Sequence, residues 1–109
     1  MWYRKTLEIR EALGDRPMLA AIYHQLGLLS EARADPGTAL DWMVRCVALF
    51  PEFPHPATGP GPQHLVRLTA MLDLPALETS WQRCIGTTLP AVVRAAVERM
   101  IHATGSDPA

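Results

Sequence analysis

The side chains that could do chemistry in this chain are few and scattered. Histidines stand at His24, His55, His64 and His102, and the cysteines are Cys46 and Cys84. A zinc-like ion needs such ligands one helical turn apart or gathered in a short loop. No pair among these residues has either spacing, so no metal site is expected. Nucleophilic catalysis would need Ser30, Ser80, Cys46 or Cys84 on an elbow or a glycine-rich turn with a base close by in sequence, and none is so placed. Gly59-Pro60-Gly61-Pro62 has the glycines of a phosphate-binding loop, but its prolines lack N–H donors and no lysine follows. The chain reads as non-catalytic, with no catalytic residue, no metal and no cofactor.

Charge narrows the partners. Ten basic and eleven acidic side chains leave a formal charge of −1, which is no footprint for phosphate backbones or anionic lipid. Nucleic acid is not expected. Lys5 is the one lysine among the basic residues, and with abundant Ala and Pro this is the usage of a GC-rich bacterial genome. No apolar run approaches the ~18 to 20 residues that span a bilayer. Met1-Trp2-Tyr3-Arg4-Lys5 opens without the apolar core of a signal peptide. The two isolated cysteines fit reduced, buried thiols. These features point to a soluble, cytoplasmic protein with no membrane partner.

The elements that must position any site are helical. At 109 residues and 49% hydrophobic content the chain fits one domain. Ten prolines, 6% aromatic content and few β-branched runs argue against sheet. Pro17, Pro36, Pro75 and Pro90 each open an amphipathic segment, where a missing N–H costs least. Asp35, Asp73 and Thr88 can cap such starts, and Gly14, Gly86 and Gly105 fall where helices should stop. The pattern predicts helices over residues 2–13, 17–33, 36–50, 62–73, 75–85 and 89–104. Between the third and fourth, residues 51–62 hold five prolines and two glycines, which predicts an irregular loop. That loop either packs Phe53 onto the core or serves as a polyproline ligand for an aromatic groove elsewhere. Trp42 and Trp81 read as core. In the last helix Leu89, Val92, Val93, Ala96, Val97, Met100 and Ile101 make one apolar face and Arg94, Glu98 and His102 a wet one, as a terminal capping helix requires.

The chain also repeats. Trp2-Tyr3-Arg4-Lys5-Thr6-Leu7-Glu8-Ile9 lines up with Trp42-Met43-Val44-Arg45-Cys46-Val47-Ala48-Leu49, a period of about 40 residues that suits stacked helix pairs. Within residues 20–53, Tyr23-x-x-Leu26-Gly27 is followed by Ala39-x-x-x-Met43, small Cys46 and Pro51. Gly27 and Ala39 would let two helices approach closely, Tyr23 and Met43 would fill the space between successive pairs, and Pro51 would end the second helix. This spacing resembles the tetratricopeptide repeat family, with Ser30 standing where the family usually has an aromatic. It is similar in particular to the long-period C-terminal repeats of actinobacterial NB-ARC-type ATPases. The strings that carry the likeness are Glu11-Ala12-Leu13-Gly14-Asp15-Arg16-Pro17, Tyr23-His24-Gln25-Leu26-Gly27 and Ala39-Leu40-Asp41-Trp42. Residues 54–109 continue it in degenerate form: Leu68, Leu72, Leu77, Trp81 and Ile85 keep the hairpin spacing without the Leu-Gly pair.

The resemblance implies an all-α fold of antiparallel helical hairpins, stacked as a short right-handed solenoid of about six helices with a C-terminal capping helix. Residues 1–109 would form a single domain. Residues 1–16 would be the second helix of a truncated repeat, 17–53 a complete repeat, 54–63 the proline-rich loop, 64–104 a degenerate repeat plus capping helix, and 105–109 a frayed tail. The chain would then be the end of a longer array. The implied function is a protein–protein interaction scaffold that takes a peptide or helix in a concave groove lined by Ala21, His24, Leu28 and Glu31. His24 would donate to a backbone carbonyl or a carboxylate there; the plainer alternative is that His24 and Glu31 are solvated residues on an exposed face. The carboxylate-gripping subfamily has a Lys/Asn pair where this chain has His24 and Gln25, which argues against that mode. Trp2, Leu7 and Ile9 would leave an apolar edge for homodimerisation or for an upstream repeat. An alternative function is a regulatory, sensor or oligomerisation arm of a larger NB-ARC-type ATPase or transcription regulator.

Overall fold

Helix starts are set by a carboxylate and a proline acting together. Asp15 Oδ1 accepts from the Met18 N–H at 3.2 Å, Asp35 Oδ1 from Thr38 at 3.2 Å, and Asp73 Oδ1 from Ala76 at 2.8 Å. Each thereby satisfies one of the N–H groups that a helix leaves unpaired at its first turn. Pro17, Pro36 and Pro75 follow directly in the first two helical positions. The computed structural model describes residues 15–105. These form α1 (Arg16–Ala32), α2 (Pro36–Val47), a 3-10 turn (Pro56–Thr58), α3 (Gly61–Leu72), α4 (Leu74–Ile85) and α5 (Ala91–Gly105), with no strand among the described residues. The helix expected over 2–13, with Trp2, Leu7 and Ile9, lies outside the described residues, as do residues 106–109.

Two boundaries depart from the expected ones for local reasons. The helix predicted to reach residue 50 stops at Val47, with Ala48 as its cap. Pro51 disfavours helical backbone at Phe50, so the last turn unwinds before it. The segment expected to be irregular instead holds the 3-10 turn, and α3 begins at Gly61, one residue ahead of the expected start at Pro62. A proline in the first turn of a helix gives up only a donor that has no partner there. His55 starts the 3-10 turn by accepting from the Ala57 N–H through Nδ1 at 3.0 Å, while Thr58 Oγ1 donates to the His55 carbonyl at 2.6 Å. The His55 ring stacks on Phe50 at 4.0 Å, and Phe53 packs half-buried on the core. Of the two roles open to this loop, packing is the one these contacts favour.

Between α1 and α2 the chain turns in three residues. The Asp35 N–H reaches the Ser30 carbonyl at 3.0 Å and the Ala34 N–H reaches Glu31 at 2.9 Å, with Ala34 at φ 61. This is the Schellman arrangement, which usually has glycine at the left-handed position. Asp73 alone separates α3 from α4, and α4 ends on Gly86 at φ 89, a conformation glycine adopts without a Cβ clash.

α2 lies at the centre of the packing, with α1 on one side and α3 and α4 on the other, while α5 covers α3. Seven of its residues are buried: Ala39, Leu40, Trp42, Met43, Val44, Cys46 and Val47. Trp42 and Cys46 join Leu19, Ile22, Tyr23 and Leu26 of α1 in one apolar cluster. Leu40, Val44 and Val47 face the other way, onto Leu65, Leu68, Leu77 and Trp81, which continue to Val93 and Val97 of α5, and Met43 of the same core also reaches Gly27 of α1. Tyr23 stacks on Trp42 at 5.8 Å, while the preceding segment it was expected to pack against lies outside the described residues. Both Trp42 and Trp81 are core residues.

Gly27 behaves as expected. A Cβ there would stand 2.7 Å from Met43 Cε and 3.4 Å from the Ala39 carbonyl oxygen, so it is the buried Met43 methyl, rather than the α2 backbone, that would have to give way to it. We expect Gly27→Ala to lower stability by about 1 kcal/mol, overpacking outweighing the helix-propensity gain. In a Met43→Leu background, which lacks Cε, the same change should be neutral or stabilising. Urea unfolding of the four variants checks this sign change. Ala34→Gly should raise stability by roughly 0.5–1 kcal/mol, because it relieves the left-handed strain at more than its entropic cost.

Candidate functional site

The residues expected to line a groove recur every three or four positions along α1, so one face of the helix carries them. Ala21 is exposed on that face, whereas Leu28 is half-buried and packs on the main core. His24 and Glu31 turn out to be tied to α3. The His24 ring lies 5.1 Å from the His64 ring, with planes tilted by 41°. The Glu31 carboxylate takes both ends of the Arg67 guanidinium, at 2.8 Å from Oε1 to Nη2 and through a second, shorter contact from Oε2 to Nη1. Arg67 Nη2 also stands 2.8 Å from His64 Nδ1.

Two histidines, an arginine and a glutamate thus form one cluster across α1 and α3. Guanidinium only donates, so His64 Nδ1 must accept, and its proton sits on Nε2. Burial lowers the His24 pKa, and its Nε2 is buried without a hydrogen-bond partner among the described residues. His64 is lowered by burial first and then by the charges of Arg67 and His24, with Glu31 partly opposing. The hydrogen bond from Arg67 holds Glu31 below the ordinary carboxylate value, and the same bond raises Arg67. At neutral pH the cluster is therefore a bidentate ion pair beside two uncharged rings. What it presents outward is the guanidinium, 43% exposed, beside the uncovered Ala21 and Gln25.

Sequence reasoning named His24 and Glu31 but missed His64 and Arg67. A signal was available: the 40-residue offset that aligns Trp2 with Trp42 also aligns His24 with His64 and Leu28 with Leu68. Arg67 then follows His64 by three positions, one turn along the same face.

A second polar group joins α2 to α4. Asp41 accepts from Ser80 Oγ at 2.6 Å and from Arg83, beside a cleft of about 310 Å³ that Leu40, Leu72, Pro75, Ala76 and Thr79 help to line. Ser80 is buried and donates to a carboxylate already held by a cation, so its oxygen is not activated for attack. Cys46 is buried against the Ala20 carbonyl at 3.5 Å, and burial pushes its thiol up to about 11, which keeps it protonated. His102 is exposed in the last turns of α5. Among the described residues, no three His, Cys, Asp or Glu side chains come together as a metal site, and no helix is long and apolar enough to cross a membrane.

A double-mutant cycle on Glu31→Gln and Arg67→Gln should give a coupling of about 0.2–1 kcal/mol, since both groups are partly solvated, and it should shrink at high salt. Thermal unfolding at low and high ionic strength measures it; a coupling indifferent to salt would mean the pair is not electrostatic. Compared with known proteins, the chain matches no family model, no curated protein and no solved structure.

Proposed function

We propose that this chain is a tetratricopeptide-like helical repeat that serves as a non-catalytic scaffold, binding a peptide or a helix along the face shared by α1 and α3. The observation that carries the reading is the contact between His24 and His64. In a stacked repeat, residues one period apart occupy equivalent places on neighbouring units and lie side by side. His24 and His64 are one period apart in sequence, and their rings are 5.1 Å apart in space. The close approach at Gly27 and the position of α2 between α1 and the α3–α4 pair fit the same arrangement.

On this reading α1 and α3 are the first helices of consecutive hairpins, and their common face is the groove side. Ala21 supplies a small, uncovered patch where a ligand backbone would approach. Glu31 acts by orienting Arg67, and the partly exposed guanidinium is the group that meets the ligand. Arg67 presents planar donors suited to backbone carbonyls or to a carboxylate side chain on the bound segment. Leu28 supports the floor by packing on the core.

Selection from a displayed peptide library, followed by amide-shift mapping, tests the proposal. Selected peptides should perturb α1 and α3, and Ala21→Arg should weaken them roughly tenfold or more, about 1.4 kcal/mol, with unchanged thermal stability. Peptides that bind Ala21→Arg equally well, or that map to the α2–α4 cleft, would remove the groove from this face.

A further inference from the structure

The four side chains that join α1 to α3 have no room for another positive charge. Arg67 Nη2 stands 2.8 Å from His64 Nδ1, an arrangement that exists only while that nitrogen has its lone pair free. His24 presses its ring against His64 from the other helix, and its own Nε2 has no hydrogen-bond partner among the described residues to share a proton's charge. One anion, Glu31, serves the cluster, and Arg67 already takes both its oxygens. The charged groups of the neighbouring elements are engaged elsewhere. On α2, Arg45 lies over Trp42 and Asp41 is held by Ser80 and Arg83. Beside the 3-10 turn Glu52 faces His55, and on α4 and α5 Glu78 and Glu98 share Arg94.

We propose that His24, His64, Arg67 and Glu31 form an acid-sensitive latch, which holds α1 against α3 while both rings are neutral and lets go when His64 takes a proton on Nδ1. The proton removes the acceptor for Arg67 and leaves two donors, both cationic, facing each other at hydrogen-bond distance. A second proton on His24 adds a third cation against one carboxylate. The latch needs no partner, so it stands or falls separately from the groove.

The direction of the pH dependence follows from linkage. Burial holds both histidines below the value of 6.5 they have in an unstructured chain, and the charges of Arg67 and His24 lower His64 further. The unfolded or opened form therefore binds protons first as the pH falls, and stability present above about 6.5 declines below it. Glu31 acts in a lower window, because its depressed carboxyl costs stability only as the pH drops beneath 4.5.

The test is an NMR titration of the full isotope-labelled chain from about pH 7.5 to about pH 4, following the ring protons of His24 and His64 and the cross-relaxation between them. Both rings should titrate below about 6.5, and their cross-peak should vanish through the His64 midpoint. Arg67→Gln should raise that midpoint by removing the facing cation. His64→Asn, whose amide oxygen offers Arg67 an acceptor that does not titrate, should keep α1 and α3 together and flatten the fall of thermal stability between neutral pH and about pH 5. A cross-peak that survives protonation of both rings would sink the latch. So would a His64 midpoint unmoved by Arg67→Gln, or a separation that appears only in the carboxylate window.

Discussion

The whole arrangement depends on burying α2. A twelve-residue helix with apolar or small side chains on both flanks cannot be stable in water alone, because its own hydrogen bonds barely offset the ordering of its backbone. It gains stability only when α1 closes one flank and α3 with α4 closes the other. The two flanks differ in kind. Toward α1 the contact is close, with Gly27 lacking a Cβ opposite Met43 and Tyr23 stacked on Trp42. Toward α3 and α4 it is a layer of aliphatic side chains that runs on through Leu65, Leu68 and Leu77 to α5. A helix buried on two sides fixes the order of its neighbours, and that order brings α1 and α3 near each other along one edge.

What meets at that edge is polar, and this follows from geometry. α1 spends its apolar positions on Trp42, Cys46 and the core, so the face left for α3 holds His24 and Glu31, with His64 and Arg67 opposite. Polar groups at a half-buried junction must satisfy one another, and three of these do so through a bidentate ion pair and a hydrogen bond between guanidinium and imidazole. His24 is the exception, joined by ring contact with one nitrogen unpaired. The junction is therefore specific in register but weak in energy, whereas the α1–α2 contact is strong and apolar. The Asp41, Ser80 and Arg83 group plays the corresponding part between α2 and α4, fixing their alignment beside an apolar layer.

Local chemistry was legible from the residues because it is decided within one turn. Asp35 and Asp73 cap the helices expected of them, Pro17, Pro36 and Pro75 lie in first turns, and Gly86 ends α4. Where sequence reasoning failed locally, it undervalued a rule already in use. The 3-10 turn that begins at Pro56 lies inside the segment expected to be irregular, since prolines suit first turns in short helices as well as long ones. Ala34 in the left-handed position between α1 and α2 carries no glycine signal and could not be read in advance.

By itself the sequence determined helix type, most helix starts and most of the core, because periodicity, capping and burial preference are properties of a segment and its solvent; Val92, expected on the packed face of α5, is exposed, and α5 starts at Ala91 rather than Pro90. It also places residues such as His24 and His64 at the same 40-residue offset that separates Trp2 from Trp42. Only the tertiary structure decided which of them touch. The bond from Glu31 to Arg67 spans two helices and a proline-rich turn, and the turn of Tyr23 onto Trp42 depends on the angle between α1 and α2. Those relations are set by how α2 is packed on both flanks, a balance of contacts distant in sequence that no single segment contains.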